Sequence, residues 1–121
     1  MKLVDTSVWV DFFRGRARAG RLAHDLEADE VLLHPWVLGE LALGHLGSKR
    51  AAILGDLRLL PVAPVVPDAD VLAMIDVLRL AGRGIGWVDA HLLASARSAG
   101  AMLWTHDARL SRIAAAVHLA H

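Results

Sequence analysis

MKLVDTSVW (residues 1–9) poses the question on which the fold turns. Lys2 to Val4 reads as a short buried strand, and Asp5 follows it immediately, ahead of two hydroxyls, Thr6 and Ser7. A carboxylate in that place cannot point into an apolar core without a partner, because burying an unpaired charge costs far more than a short strand returns. Solvent or a cation must meet it. With Thr6 or Ser7 as the expected N-cap, Val8, Trp9, Phe12 and Phe13 supply the apolar stripe of a helix that ends near Gly15.

The rest of the chain alternates in the same way. EVLLH (30–34) is a second short apolar run, closed by Pro35, which suits the first turn of a helix over PWVLGELALGHL (35–46). A further helix is expected from Ser48 to Leu60. The three prolines of PVAPVVP (61–67) then allow at most a short or edge strand. DADVLAMIDVLRLAG (68–82) reads as a capped helix ending at Gly82, GRGIG (82–86) as a flexible turn, and WVDAHLLASARSAG (87–100) as a helix stopped by Gly100. AMLW (101–104) is a strand, THDARLSRIAAA (105–116) carries a short helix, and VHLAH (117–121) suits a last edge strand. Strands that are apolar throughout and alternate with helices indicate a parallel sheet covered on both faces, a three-layer α/β/α domain with four to five short strands.

The length of 121 residues fits one domain spanning 1–121 with a real core. Thirteen basic side chains balance thirteen acidic ones, so no global positive field announces a nucleic-acid binder. The absence of cysteine excludes disulfides and thiolate metal sites and fits a reducing compartment, with the cytoplasm expected. Asp5 and Asp11 interrupt the first apolar run before it reaches signal-peptide length, and no stretch is long enough to span a membrane. The one local basic cluster, RGRARAGR (14–21), holds Arg14, Arg16, Arg18 and Arg21 with no acid among them. It is a candidate phosphate contact or a solvated turn.

In open parallel sheets, ligands bind beyond the carboxyl ends of the strands, near the point where strand order reverses. Asp5 follows the first strand, Asp107 follows a later one, Glu40 lies in the helix after the second strand, and Asp89 opens the helix that leads into AMLW. All four are expected on one rim. Other acids, among them Asp25, Glu27, Asp29, Asp56 and Asp76, read as surface charge. Clustered carboxylates stay ionised only if a cation neutralises them, and hard oxygen ligands select Mg²⁺ or Mn²⁺. Such a site activates water against a phosphodiester. The plainer alternative makes Asp5 and Asp89 helix-terminal acids favoured by the macrodipole. Trp9, Trp36, Trp87 and Trp104 read as core, with Trp87, beside Asp89, the one candidate for base stacking.

LVDTSVWVDFFRG (3–15), LHPWVLGELALG (33–44), IGWVDAHLLASA (85–96) and LWTHDARL (103–110), in this order, resemble a PIN-domain ribonuclease of the VapC type, the toxin of a toxin–antitoxin pair. The resemblance implies Mg²⁺- or Mn²⁺-dependent endonucleolytic cleavage of RNA. It implies that Asp5, Asp89 and Asp107 hold the ion, that Glu40 completes the shell or orients the water, and that Thr105 stands behind them or holds a water. A cognate antitoxin and a homodimer are further implications. The competing readings are a receiver-like or phosphatase-like phosphoryl-transfer domain, which lacks its Asp-x-Asp after the first strand and its late lysine, and a non-catalytic RNA-binding PIN module.

Overall fold

In the computed structural model, which describes all 121 residues, Leu3 and Val4 are wholly buried at the centre of a parallel sheet. They belong to β1 (Lys2–Val4), flanked by β2 (Val31–Leu32) on one side and β3 (Met102–Trp104) on the other. Seven helices connect and cover them: α1 (Thr6–Phe13), α2 (Arg21–Glu27), α3 (Pro35–Leu43), α4 (Arg50–Leu57), α5 (Asp68–Val77), α6 (Trp87–Ala99) and α7 (Ala108–Ala116). The chain leaves β1 toward β2 and later returns past β1 to β3. With right-handed crossovers, these opposite directions send α1 to α4 over one face and α5 to α7 over the other. The reversal makes the crevice between β1 and β3 the switch point of the sheet.

The sheet has three strands rather than the expected four to five. Two further segments each touch it through a single parallel bridge, Leu33 with Val62 and Leu103 with Ala120. The reason is plain at Val62. Leu33 N–H donates to Pro61 O and Ala63 N–H to Leu33 O, both at 2.9 Å, but the adjoining rungs of a parallel ladder would need N–H donors from Pro35 and Pro61, which have none. On β2, Pro35 begins α3 only three residues after Leu32 and ends the strand from the other side. The tail pairs only at Ala120, so VHLAH is a bridge and not a strand.

Several helix ends also differ from expectation. Asp5 itself caps α1, its Oδ1 accepting the Thr6 N–H at 2.8 Å, so neither Thr6 nor Ser7 is the cap. The helix from Asp68 stops at Val77, five residues before Gly82, where Arg79 adopts a positive φ of 54°. The stretch expected as one helix from Ser48 to Leu60 is a 3-10 turn at Gly47–Lys49 followed by α4. Gly100 ends α6 with a φ of 63°, a left-handed position that a side chain would strain.

The apolar core runs from Leu3, Val4 and Val8 through Leu92, Leu93 and Leu103 to Leu110. Trp9 is buried and stacks on Phe13 with centroids 5.8 Å apart. Asp25, expected on the surface, is fully buried instead, because Lys2 Nζ reaches it at 2.8 Å from the start of β1. Burial pushes the Asp25 carboxyl up, but the Lys2 ammonium, together with His24 and Arg21, holds it below the usual carboxylate range. Trp36 is only half-buried and Trp87 is exposed, both packing on the buried ring of His91 with centroids 4.1 and 4.6 Å away, so neither belongs to the apolar core.

His34 is a buried polar residue with a structural task. Its Nδ1 accepts the Trp36 N–H at 3.0 Å and caps α3, which puts the imidazole proton on Nε2. Burial, aided by nearby His91, lowers its pKa from 6.5 to about 4. The folded value lies below the unfolded one, so stability is full above pH 6.5 and is lost as the pH falls through this window. Urea unfolding should therefore show stability declining between pH 6.5 and 4 with a slope approaching about 1.4 kcal/mol per pH unit. His34→Asn, whose side-chain oxygen can still cap α3, should flatten that slope.

Candidate active site

The parallel register pairs Lys2 with Met102, Leu3 with Leu103 and Val4 with Trp104. One step further it sets Asp5 beside Thr105, and the Asp5 N–H donates to Trp104 O at 2.9 Å. The first acid and the hydroxyl thus meet across the switch-point crevice because two adjacent strands end in register. Asp5 is buried and fully engaged. Its Oδ1 accepts from Thr6 N–H, and its Oδ2 accepts from the hydroxyls of Ser7 and Thr105, each at 2.8 Å.

The hydroxyls that follow Asp5 extend the site in two directions. Thr6 Oγ1 donates to Glu40 Oε1 at 2.7 Å, tying the second turn of α3 to the start of α1. Ser7 Oγ accepts the His106 N–H at 3.0 Å, and Thr105 Oγ1 accepts the Asp107 N–H at 3.0 Å, so the loop after β3 is stitched to α1. Asp107 caps α7, its Oδ1 accepting the Leu110 N–H at 2.9 Å. Asp89 lies in the first turn of α6, where its Oδ2 accepts the Gly86 N–H at 3.0 Å.

The acids feel one another. Burial raises the pKa of Asp89; the Gly86 N–H opposes that rise, while the charges of Asp5 and Asp107 add to it. Glu40 joins this set through Thr6 and is exposed. None of the four carboxylates has a lysine, arginine or histidine within ion-pair distance. The two buried acids besides Asp5 do have one. Asp25 takes Lys2, and Asp11 takes Arg16 Nη1 at 2.9 Å, Arg18 Nε at 2.7 Å and the His106 ring.

Asp11 and the two hydroxyls Thr6 and Ser7 went unassigned as site residues in the sequence. The signal for the hydroxyls is only their place beside the acid that caps α1: Ser7 Oγ turns back to Asp5, while Thr6 Oγ1 reaches Glu40 instead. Asp11 sits one turn deeper in α1 and carries no such signal, since its partners come from the 3-10 turn at Ala17–Ala19 and from the loop after β3. Burial pushes the Asp11 carboxyl up, but bonds from His106 and Arg18 hold it below the usual range. The arginine cluster therefore does have an acid among its contacts, and Arg16 and Arg18 are not free cations. Arg14 points elsewhere, lining a cavity of ≈ 730 Å³ that it shares with Glu40, His45 and Lys49.

The donor set suits a hard cation: acceptor-only carboxylates without basic partners, one of them with its pKa raised by burial and further by its acidic neighbours. No three His, Asp or Glu side chains close into a ready-made cage.

The chain belongs to the PIN-domain family, whose model matches residues 2–116. It is 48% identical over 111 residues to Ribonuclease VapC32 of Mycobacterium tuberculosis, in two strains, across 91% of this chain and 87% of that protein, and so is of the VapC type. The crystal structure of FitAcB from Neisseria gonorrhoeae superposes with a TM-score of 0.68 at 23% identity, covering 95% of this chain and 94% of the other, a likeness of fold. No helix is long and apolar enough to cross a membrane.

Two outcomes check the electrostatics. In carboxyl-carbon NMR titrations without divalent ions, the raised midpoint of Asp89 should fall toward the usual range in Asp5→Asn and in Asp107→Asn. A carboxylate with a raised folded pKa costs stability as the pH rises past its unfolded value. Asp89→Asn, which keeps an acceptor for the Gly86 N–H, should therefore raise the melting temperature of the metal-free protein at pH 7.

Proposed function

We propose that this chain is an endoribonuclease toxin that hydrolyses RNA phosphodiester bonds with the aid of Mg²⁺ or Mn²⁺. The observation that carries the reading is a set of acids, Asp5, Asp89 and Asp107, sharing one field at the β1–β3 crevice without any basic partner. Similarity to a protein named a ribonuclease supports the substrate class. These three carboxylates would hold the ion, with Glu40 completing its surroundings or orienting a water. When bound, the ion supplies a Lewis acid for the phosphoryl oxygens and a water of lowered pKa.

The chain's own residues prepare the site before any metal arrives. Ser7 and Thr105 saturate one oxygen of Asp5, and the Thr6 N–H holds the other, so the carboxylate is fixed in direction. Thr6 restrains Glu40 in the same way. Held at their polar edges, both acids lose little further freedom on binding a cation. Glu40, exposed and restrained on one oxygen only, is the group free to accept a proton from an attacking water.

The resemblance to the toxins extends the proposal to a cognate antitoxin, which would cover the acidic crevice and offer an arginine in place of the cation. It also extends to a homodimer, for which the exposed Val62, Val65, Leu72 and Val77 supply apolar surface. Arg14, which lines the same cavity as Glu40, would be the member of the arginine cluster to meet RNA phosphate.

Asp5→Asn should abolish Mg²⁺- or Mn²⁺-dependent cleavage of RNA, and growth inhibition on expression, with the fold intact by circular dichroism; retained cleavage would refute the assignment. Thr105→Val removes a bond behind Asp5 and should lower cleavage by about 10–100-fold, part of it recovered at higher metal concentration.

A further inference from the structure

Three arginines converge where the catalytic proposal does not use them. Arg83, in the turn between α5 and α6, faces Arg109 and Arg112 on the first part of α7, and with Ile113 they line a notch of ≈ 240 Å³. None of the three has a carboxylate within ion-pair distance, whereas Arg16, Arg18 and Arg21 all do. Three like charges gathered without an acid repel one another. Arg109 also lies in the first turn of a helix, where a cation opposes the macrodipole.

The notch is a shaped feature. Gly84 has a φ of 81°, and a Cβ built on it would fall 2.9 Å from both Cδ and Nη1 of Arg109. The guanidinium therefore lies on bare backbone, in a space that any other residue at 84 would take. This gives GRGIG a role that a flexible turn does not have: its central glycine seats an arginine.

Both walls of the notch continue directly into the acidic site. Gly84 stands two residues before Gly86, whose N–H is held by Asp89, and Arg109 stands two residues after Asp107. A polyanion that enters a crevice lined by carboxylates is repelled unless cations meet it alongside, and with a net charge of zero the chain has no global field to offer. We propose that Arg83, Arg109 and Arg112 form a phosphate-binding notch that holds the RNA backbone beside the bond to be cut. The inference rests on the endoribonuclease reading and adds to it the residues that grip the strand. Planar guanidinium groups suit this task because each can make two parallel bonds to one phosphate.

The test uses a labelled single-stranded RNA oligonucleotide, fluorescence anisotropy, and the Asp5→Asn protein as a background that binds without cutting. Arg83→Gln, Arg109→Gln and Arg112→Gln should each weaken binding, and each should reduce the slope of log affinity against log salt by about 0.7, the value for one lost contact to single-stranded nucleic acid. With Asp5 restored, the same substitutions should raise KM for RNA and leave kcat nearly unchanged. Arg83, in an exposed turn, keeps the test readable if an α7 variant is poorly folded. Unchanged slopes and KM in a protein whose wild type cleaves RNA would overturn the notch and leave the nuclease reading standing. Arginine-dependent RNA binding by a wild type that cleaves nothing would uphold the notch and overturn the nuclease. Variants that keep RNA binding but lose an acidic peptide would assign the notch to a protein partner and overturn the proposal.

Discussion

The site depends on one constraint: Asp5 is held at the point where β1 ends and α1 begins, by donors from both sides of the crevice. The Thr6 N–H and Ser7 hydroxyl come from its own helix, and the Thr105 hydroxyl comes from the end of β3. These bonds let a charged side chain be buried without a counter-ion, since hydrogen bonds to a carboxylate offset much of its lost hydration. They also lock the register of β3 against β1, because a slip by one residue would carry Thr105 away from Asp5 and turn every β3 side chain to the opposite face. Position of the acid and pairing of the strands are thus the same fact.

Around that point the molecule sorts its acids by what accompanies them. Asp25 and Asp11 are buried with lysine, arginine or histidine and serve the fold, Asp25 at the opposite end of β1 and Asp11 under the 3-10 turn. Asp5, Asp89 and Asp107 have only hydroxyl or N–H donors, and Glu40 has only Thr6. A paired acid is already neutralised and has little to offer a cation. An acid held in direction but left without a counter-charge retains both its charge and its geometry for one. At Asp89 burial, with the charges of Asp5 and Asp107 added, raises the pKa, and perturbed carboxyls of this kind cluster at functional positions.

The arginines divide by the same rule. Arg16 and Arg18 stand in the sequence as a conspicuous basic run, yet they close on Asp11 and hold the 3-10 turn to α1, while His106 joins the same acid from the loop after β3. Arg83, Arg109 and Arg112 are scattered over thirty residues of sequence and attract no notice there, but the turn before α6 and the start of α7 bring them together. Spacing along a chain shows which charges are neighbours in sequence; it does not show which acid each cation will meet. For the same reason Asp25, on an apparently exposed helix, could not be read as buried until Lys2 was seen to reach it.

What the sequence determined by itself was local. The apolar triplets at Leu3 and Leu103, Pro35 at the first turn of α3, Gly100 at the end of α6 and the placement of Asp5, Asp89 and Asp107 at element ends all follow from side-chain chemistry within a few residues, and they suffice for a parallel α/β fold with acids beyond its strands. The tertiary structure decided the contacts over long separations. It limited the sheet to three strands, since a proline in the 61–67 segment has no N–H to give, made Asp5 its own helix cap, joined Thr6 to Glu40 across thirty-four residues, and chose which arginines stay free. The physical reason is that a hydrogen bond or ion pair is set by distance in space, which only the folded chain defines. A turn, a cap or an apolar face is set by the residue and its immediate neighbours.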